Sequence, residues 1–371
     1  MSPVKALRIS NSASSQSDDR GEKWLSAHLH FSGNPNPMLY QFVGPFLNQL
    51  RDDRQIDRYF FMRYWTEGQH IRVRMLPSAN VDPASVTVAF EAAAAAFFER
   101  RPSLLPAMQL DEPDRVKATF LAEYPESAWD AAYGPDGEMP VRAPNQLRWV
   151  SYKPEFARYG GTRGMTLSET HFESSSDLVL NLLETSNLHI RSIVLGAAAQ
   201  IMAVMTVAML DGPQDALRFL GNYEKRWRTG WGGIYSPQNE QFERAYQAQA
   251  GVLVPRVGSV IAVTRAVLAD ESRPARSYLE SWARQCRNTR LEINELTGAN
   301  GLLFPRSRDS GTWDSQGDAD FAAHGLAFSY VHMLNNRLGV PIVDEIYLAY
   351  LLRRTLEDLG YRPSEKVPTW Q

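Results

Sequence analysis

A chain of 371 residues, 44% of them hydrophobic, carries enough apolar side chains to bury a sizeable core, as two domains or one large one. Its 39 basic residues against 42 acidic ones leave a formal net charge of -3, so there is no broad positive field to hold a nucleic-acid backbone, and nucleic acid is set aside as a direct partner. The single cysteine, Cys286, rules out an internal disulfide and any cysteine-rich zinc or iron–sulfur site, and it fits a reducing, cytoplasmic setting.

Residues 1–21, rich in Ser, Asp and Asn and without an apolar stretch of signal-peptide length, read as a disordered lead-in. Residues 22–371 read as one folded unit, α+β over 22–160 and mainly helical over 161–371. Trp24 to Phe31 alternates as a first strand, and Gly33-Asn34-Pro35-Asn36-Pro37 turns the chain. Met38 to Arg51 has helical spacing, with a kink or late start expected at Pro45. Tyr59 to Trp65 and Ile71 to Leu76 form two short strands rich in aromatic and β-branched residues around Thr66-Glu67-Gly68-Gln69, which predicts a β-hairpin. Asp82-Pro83 opens an Ala-rich helix through Arg101, and Gln146 to Tyr152 gives a fourth strand. The order β-α-β-β-α-β is that of a ferredoxin-like, split βαβ unit: an antiparallel sheet with two helices on one face and the other face free.

From Gly164 the pattern is mostly helical: Met165 to Thr185, Asn187 to Leu210, Gln214 to Thr229, Pro274 to Leu296, Phe321 to Leu338 and Val343 to Leu359. The region from Gly230 to Ala262 is ambiguous. The apolar run Ile193 to Leu210 touches the length of a membrane span, but it is Ala-rich, contains Gln200 and lacks flanking interfacial aromatics, so it reads as a buried core helix and no membrane partner is expected.

Three stretches are candidates for chemistry. In the hairpin, alternation sends Arg72 and Arg74 to one face with His70 beside them, while Arg63 shares a face with Phe61 and Trp65. A pocket of cations with aromatic walls suits a carboxylate ligand, although arginines on a hairpin's outer face also serve as solvated edge protection. The second stretch is YKPEFARYGG, in which Glu155 and Arg158 lie close enough to orient one another, next to Tyr159 and a flexible Gly160-Gly161 pair. Such a pair also serves simply to cap a turn. The third is His332 in SYVHMLNNRLG, near the end of a helix and followed by Asn335, Asn336 and Arg337. Imidazole is the natural proton carrier near neutral pH, yet apolar neighbours equally fit a core histidine. His28 and His30 share one face of the first strand without a third metal ligand, so no metal site is expected. The absence of a HExxH helix, a Gly-rich phosphate loop and a Gly-x-Ser-x-Gly elbow argues against hydrolases, kinases and dinucleotide enzymes.

FFMRYW, HIRVR, PEFARYGG and HMLNNRLG, in that order and over nearly the whole chain, resemble the elimination domain of lantibiotic dehydratases, the SpaB C-terminal type also found free-standing in thiopeptide pathways. The resemblance implies one elimination-domain-like unit that removes glutamate from glutamylated Ser or Thr of a precursor peptide, leaving dehydroalanine or dehydrobutyrine. The implied catalytic residues are Arg72, Arg74, Glu155, Arg158 and His332, with Arg63, Trp65, His70, Tyr159 and Asn336 expected at the substrate. It implies no metal and no organic cofactor. The implied partners are the precursor peptide, leader plus core, and a separate glutamyl-tRNA-dependent glutamylating protein; a homodimer stays open. Two alternatives accompany this reading. One is a [4+2] cycloaddition that joins two dehydroalanines into a pyridine, although such relatives are expected to keep the elimination residues only in part. The other is a non-catalytic module that binds a leader peptide along the free sheet edge.

Overall fold

The computed structural model describes residues 23–106, 113–231, 239–270, 272, 274–305, 313–315 and 317–364, so the expected lead-in lies outside the described residues. Strand β1 (Leu25–His30) is followed by a helical segment in three pieces: α1 (Asn36–Met38), a π-helical turn (Leu39–Val43) and α2 (Gly44–Asp52). Pro45 accounts for the wide turn. It has no N–H to return to the preceding turn, and the Gly44 amide instead reaches back five residues to the Leu39 carbonyl.

The hairpin forms as β2 (Ile56–Tyr64) and β3 (His70–Pro77). Helix α3 (Pro83–Arg100) starts on Asp82, whose carboxylate accepts the Ala84 amide at 3.0 Å. The connection beyond it holds two helices that sequence patterning left unassigned, α4 (Pro113–Glu123) and α5 (Glu126–Tyr133), which enclose a small core of their own around Phe120 and Trp129. Strand β4 (Gln146–Trp149) completes a sheet of order β2-β3-β1-β4 with every neighbour antiparallel, the ferredoxin-like arrangement.

The remainder is helical: α6 (Gly161–Thr185), α7 (Arg191–Met209), α8 (Pro213–Trp231), α9 (Asn239–Gln247), α10 (Ala250–Ala269), α11 (Tyr278–Gly298), α12 (Ala319–Leu338) and α13 (Ile342–Asp358). A short pair, β5 (Leu303–Pro305) with β6 (Trp313–Ser315), interrupts it. Helices α9 and α10 occupy part of the region whose pattern was ambiguous. Two helices, α7 and α10, are long and apolar enough to cross a membrane. Helix α7 packs against α8, α10, α11, α12 and α13 and forms the centre of the helical half, whereas only 28% of the apolar window of α10 is buried.

One face of the sheet is apolar. Ala27, Leu29, Ile71 and Val73 are almost wholly excluded from solvent and join a core shared with Phe42, Phe90 and Phe97 of the flanking helical segments, each of these side chains larger than alanine contributing roughly 1.5–3 kcal/mol by burial. A bare strand edge would leave backbone groups unpaired, and β2 is such an edge. It is sealed by side chains of the helical half: the Phe61 amide donates to Ser176 Oγ of α6 at 3.2 Å, the Arg63 amide donates to Asn336 Oδ1 of α12 at 2.9 Å, and Asn336 Nδ2 donates back to the Arg63 carbonyl at 2.9 Å. These bonds join the sheet to the helices and hold its other face in a defined position.

Candidate active site on the polar face of the sheet

Residues directly opposed in an antiparallel ladder share a face, so the register names the site. Arg74 lies opposite Ser26 of β1 and Phe60 of β2; Arg72 opposite His28 and Met62; His70 opposite His30 and Tyr64. Arg148 of β4 joins them opposite His28. Arg63 is paired with Ile71 and therefore sits on the apolar face, away from Arg72 and Arg74. Its Nε donates to the Arg337 carbonyl at 2.9 Å and its Nη2 to Asn36 Oδ1 at 2.7 Å. Arg63 and Asn336, expected at the substrate, are instead engaged in fastening the hairpin to α12. Alternation within each strand was correct, but only the register across the turn decides which faces coincide.

The two arginines on β3 differ. Arg72 is half-buried, donates through Nε to His70 Nε2 at 3.1 Å, and places its guanidinium carbon 3.2 Å from the centroid of the Tyr64 ring. Arg74 is 5% exposed, lies 5.3 Å from the Tyr152 ring centroid, and has no hydrogen-bond partner at Nε or Nη1 among the described residues. Burial, reinforced by the charge of Arg72, lowers its pKa to about 9. At neutral pH it is still a cation, buried without a matching carboxylate, which is costly unless an anion arrives from outside.

Three histidines line the same face. The ring of His70 lies 4.8 Å from that of His28 and 4.7 Å from that of His30. His70 Nδ1 is 2.8 Å from the Gly68 carbonyl, which assigns the proton to Nδ1 and leaves Nε2 free to accept from Arg72. Burial, followed by nearby arginines, lowers His28 to about 2; burial and Arg148 lower His30 to about 4; burial, chiefly, lowers His70 to about 3. All three are neutral at pH 7. Among the described residues no group of His, Cys, Asp or Glu is arranged to hold a metal ion.

The other candidates gather at α12. Arg158 Nη1 lies 3.3 Å from Glu155 Oε2, as the three-residue spacing suggested, and its Nε donates to Ser329 Oγ at 3.0 Å. Gly160 and Gly161 both take left-handed backbone (φ +80 and +81), and a Cβ on Gly160 would meet Phe304 Cζ at 2.9 Å, so the turn that presents Arg158 requires glycine there. Tyr159 is a core aromatic, 4% exposed, against Phe172 and Tyr330. Trp65 packs on the α4–α5 core. His332 Nδ1 lies 3.1 Å from Oε1 of Glu345, which also accepts the Tyr223 hydroxyl. That contact places the imidazole proton on Nδ1 and leaves Nε2 as the basic nitrogen. Ser329 and His332 are three apart on α12, hence on one face, and Arg158 meets that face through Ser329.

The structure thus forms two groups, Arg72 with Arg74 on β3 and Arg158 with His332 at α12. Tyr64, under Arg72, hydrogen-bonds Tyr124, just past the end of α4, and Tyr124 lies within electrostatic reach of Arg158, so a tyrosine pair spans between the groups. Sequence reasoning missed Ser26, His28, His30, Tyr64, Tyr124 and Glu345. The His28/His30 alternation was the one visible signal.

A ferredoxin-like sheet sealed to a helical half, with a buried guanidinium on its polar face, defines the α+β class of this protein. Residues 24–356 match the family described as lantibiotic biosynthesis dehydratase C-term, and the chain belongs to that family, which places it in lantibiotic-type peptide biosynthesis. No curated protein sequence matches it. Among solved structures, the pyridine synthase TbtD from thiomuracin biosynthesis superposes with a TM-score of 0.66 at 19% identity, over 91% of this chain and 98% of that one. TsrL superposes with a TM-score of 0.61 at 16% identity, over 91% and 94%. The tRNA-dependent lantibiotic dehydratase MibB from Microbispora sp. 107891 gives 0.51 at 19% identity, over 94% of this chain and 29% of that protein. At these identities the likeness is one of fold.

Proposed function

We propose that this protein removes glutamate by β-elimination from glutamylated Ser or Thr of a precursor peptide. The observation that carries the reading is Arg74, a buried guanidinium with free donors beside a second arginine. Elimination has to take the α-proton and accommodate a departing carboxylate, and arginine binds carboxylates through several donors while staying charged. In this reading His332 Nε2 accepts the α-proton, the electrons of the Cα–H bond become the Cα–Cβ double bond, and the Cβ–O bond breaks with its pair leaving on glutamate. Arg72 and Arg158 stabilise the charge growing on the departing carboxylate, Arg74 binds the glutamyl group that carries it, Glu155 orients Arg158, and Glu345 balances the imidazolium as it forms. The glutamylated peptide is then supplied by a separate glutamyl-tRNA-dependent protein.

A second reading has its own support. The fold superposes better on TbtD, with a TM-score of 0.66, than on MibB, with 0.51, which favours a pyridine-forming cyclase that joins two dehydroalanines. One experiment separates them: the purified protein is given a glutamyl-Ser peptide and, separately, a bis-dehydroalanine peptide, and products are followed by mass spectrometry. Release of glutamate with formation of dehydroalanine is the expected result. An intact ester together with cyclisation of the second peptide replaces elimination by the cyclase reading.

A further inference from the structure

Arg74 is not the only group on this face that lacks a partner. Among the described residues, Ser26 Oγ, His28 Nε2 and His30 Nδ1 are also buried without a hydrogen bond, on residues 3%, 8% and 2% exposed. Native proteins leave few buried polar atoms unpaired, because each forfeits its hydration, and four residues doing so on two adjacent strands mark a place where something else binds. The register makes Ser26 the direct cross-strand neighbour of Arg74 and puts His28 one diagonal step away; His30 is a step further, opposite His70.

We infer that Ser26, His28 and Arg74 form a subsite for the free side-chain carboxylate of the glutamyl group, so that the protein reads the acid on the group it removes as well as the ester that links it. The inference rests on the elimination reading. A glutamyl group taken from an aminoacyl ester is joined through its α-carboxyl, which leaves the γ-carboxylate free at the far end. The scissile ester is held close to the peptide and belongs at the outer, half-buried Arg72 and near Arg158. The free end extends further in, where Arg74 is the more deeply buried cation. The donors suit a carboxylate: two free nitrogens on Arg74, the Ser26 hydroxyl, and the Nε2–H tautomer of a neutral His28. A neutral imidazole contributes a donor without adding a third buried charge beside the two arginines.

The competing occupant is ordered water, which would also satisfy these atoms but would not distinguish an acid from its amide. Titration calorimetry of the wild-type protein with L-glutamate and with L-glutamine, which differ only at the γ-group, tests this without any variant. The companion measurement is turnover of peptides carrying glutamyl-Ser or glutaminyl-Ser. We expect at least tenfold preference for glutamate in binding, and the same preference in KM more than in kcat. Ser26→Ala and His28→Phe should each reduce that preference severalfold, and Ser26→Thr and His28→Asn, which keep a donor, should restore much of it. Equal handling of the two ligands, or full preference retained in both Ser26→Ala and His28→Phe, overturns the subsite. Selective glutamate binding without any elimination supports the subsite while removing the elimination reading. Elimination with equal turnover of the two esters does the reverse.

Discussion

His332 Nδ1 lies 3.1 Å from Oε1 of Glu345, a carboxylate with 0% exposure that no sequence pattern pairs with it. A buried carboxylate is stable only with its donors in place, and here they are the imidazole and the Tyr223 hydroxyl. Replacing His332 with Phe should lower elimination about 100- to 10,000-fold, the range of a lost general base, in a chain that still folds but is less stable because Glu345 keeps only the Tyr223 donor. Replacing Glu345 with Gln should lower it less, because the imidazole survives but loses the charge that steadies its protonated form. Single-turnover mass spectrometry on a glutamyl-Ser peptide measures both. Rates near wild type in His332→Phe would return His332 to the status of a core residue.

Arg74 should show opposite effects on activity and stability. Arg74→Met should weaken kcat/KM by roughly 10- to 100-fold, corresponding to one charge-assisted hydrogen bond of about 1.5–3 kcal/mol. The same change removes a buried cation without a partner, so the melting temperature should hold or rise. A variant that is fully active and less stable would show Arg74 to be a structural residue.

For Arg63 we expect the reverse. Arg63→Ala loses the bonds to the Arg337 carbonyl and Asn36 Oδ1, and should cost about 2–4 kcal/mol of stability in urea denaturation. The soluble, folded fraction should keep elimination activity within about twofold, since Arg63 lies on the other face of the sheet from Arg72 and Arg74. A specific loss of activity at unchanged stability would put Arg63 back at the substrate.

The buried histidines predict an acid-sensitive fold. His28, His70, His30 and His171 are held at about 2, 3, 4 and 3, against an ordinary value of about 6.5. Between that value and the folded-state values the unfolded chain binds protons that the folded chain does not. Stability is therefore fully present above about pH 6.5 and falls as pH drops toward 4, each histidine contributing on the order of 1 kcal/mol per pH unit inside the window. Thermal denaturation at pH 7, 6 and 5 measures it, and His28→Phe should flatten the slope. A midpoint constant from pH 7 to 5 would contradict the assignment.

Local chemistry determined what the chain shows without coordinates. Alternation around Thr66-Glu67-Gly68-Gln69 dictates a hairpin, Asp82-Pro83 starts a helix, and the order of periodic segments specifies the ferredoxin-like sheet, because side-chain period and turn residues act over a few positions. The hairpin strands, with PEFARYGG and HMLNNRLG, carried the family resemblance. Helices α4 and α5 were less legible, lying in a Pro-punctuated connection whose apolar residues form a small core of their own, apart from the main one. Tertiary structure decided how the segments meet. The β1–β3 register brings Ser26, His28 and His30 onto Arg74, Arg72 and His70 from 40 to 48 residues away in the chain, and the pairing of Arg63 with Ile71 sends that arginine to the opposite face. Glu345 reaches His332 only because α13 folds back beside α12's neighbours. Such contacts depend on packing between distant elements, and a pattern confined to one strand or one helix does not encode which other element it will face.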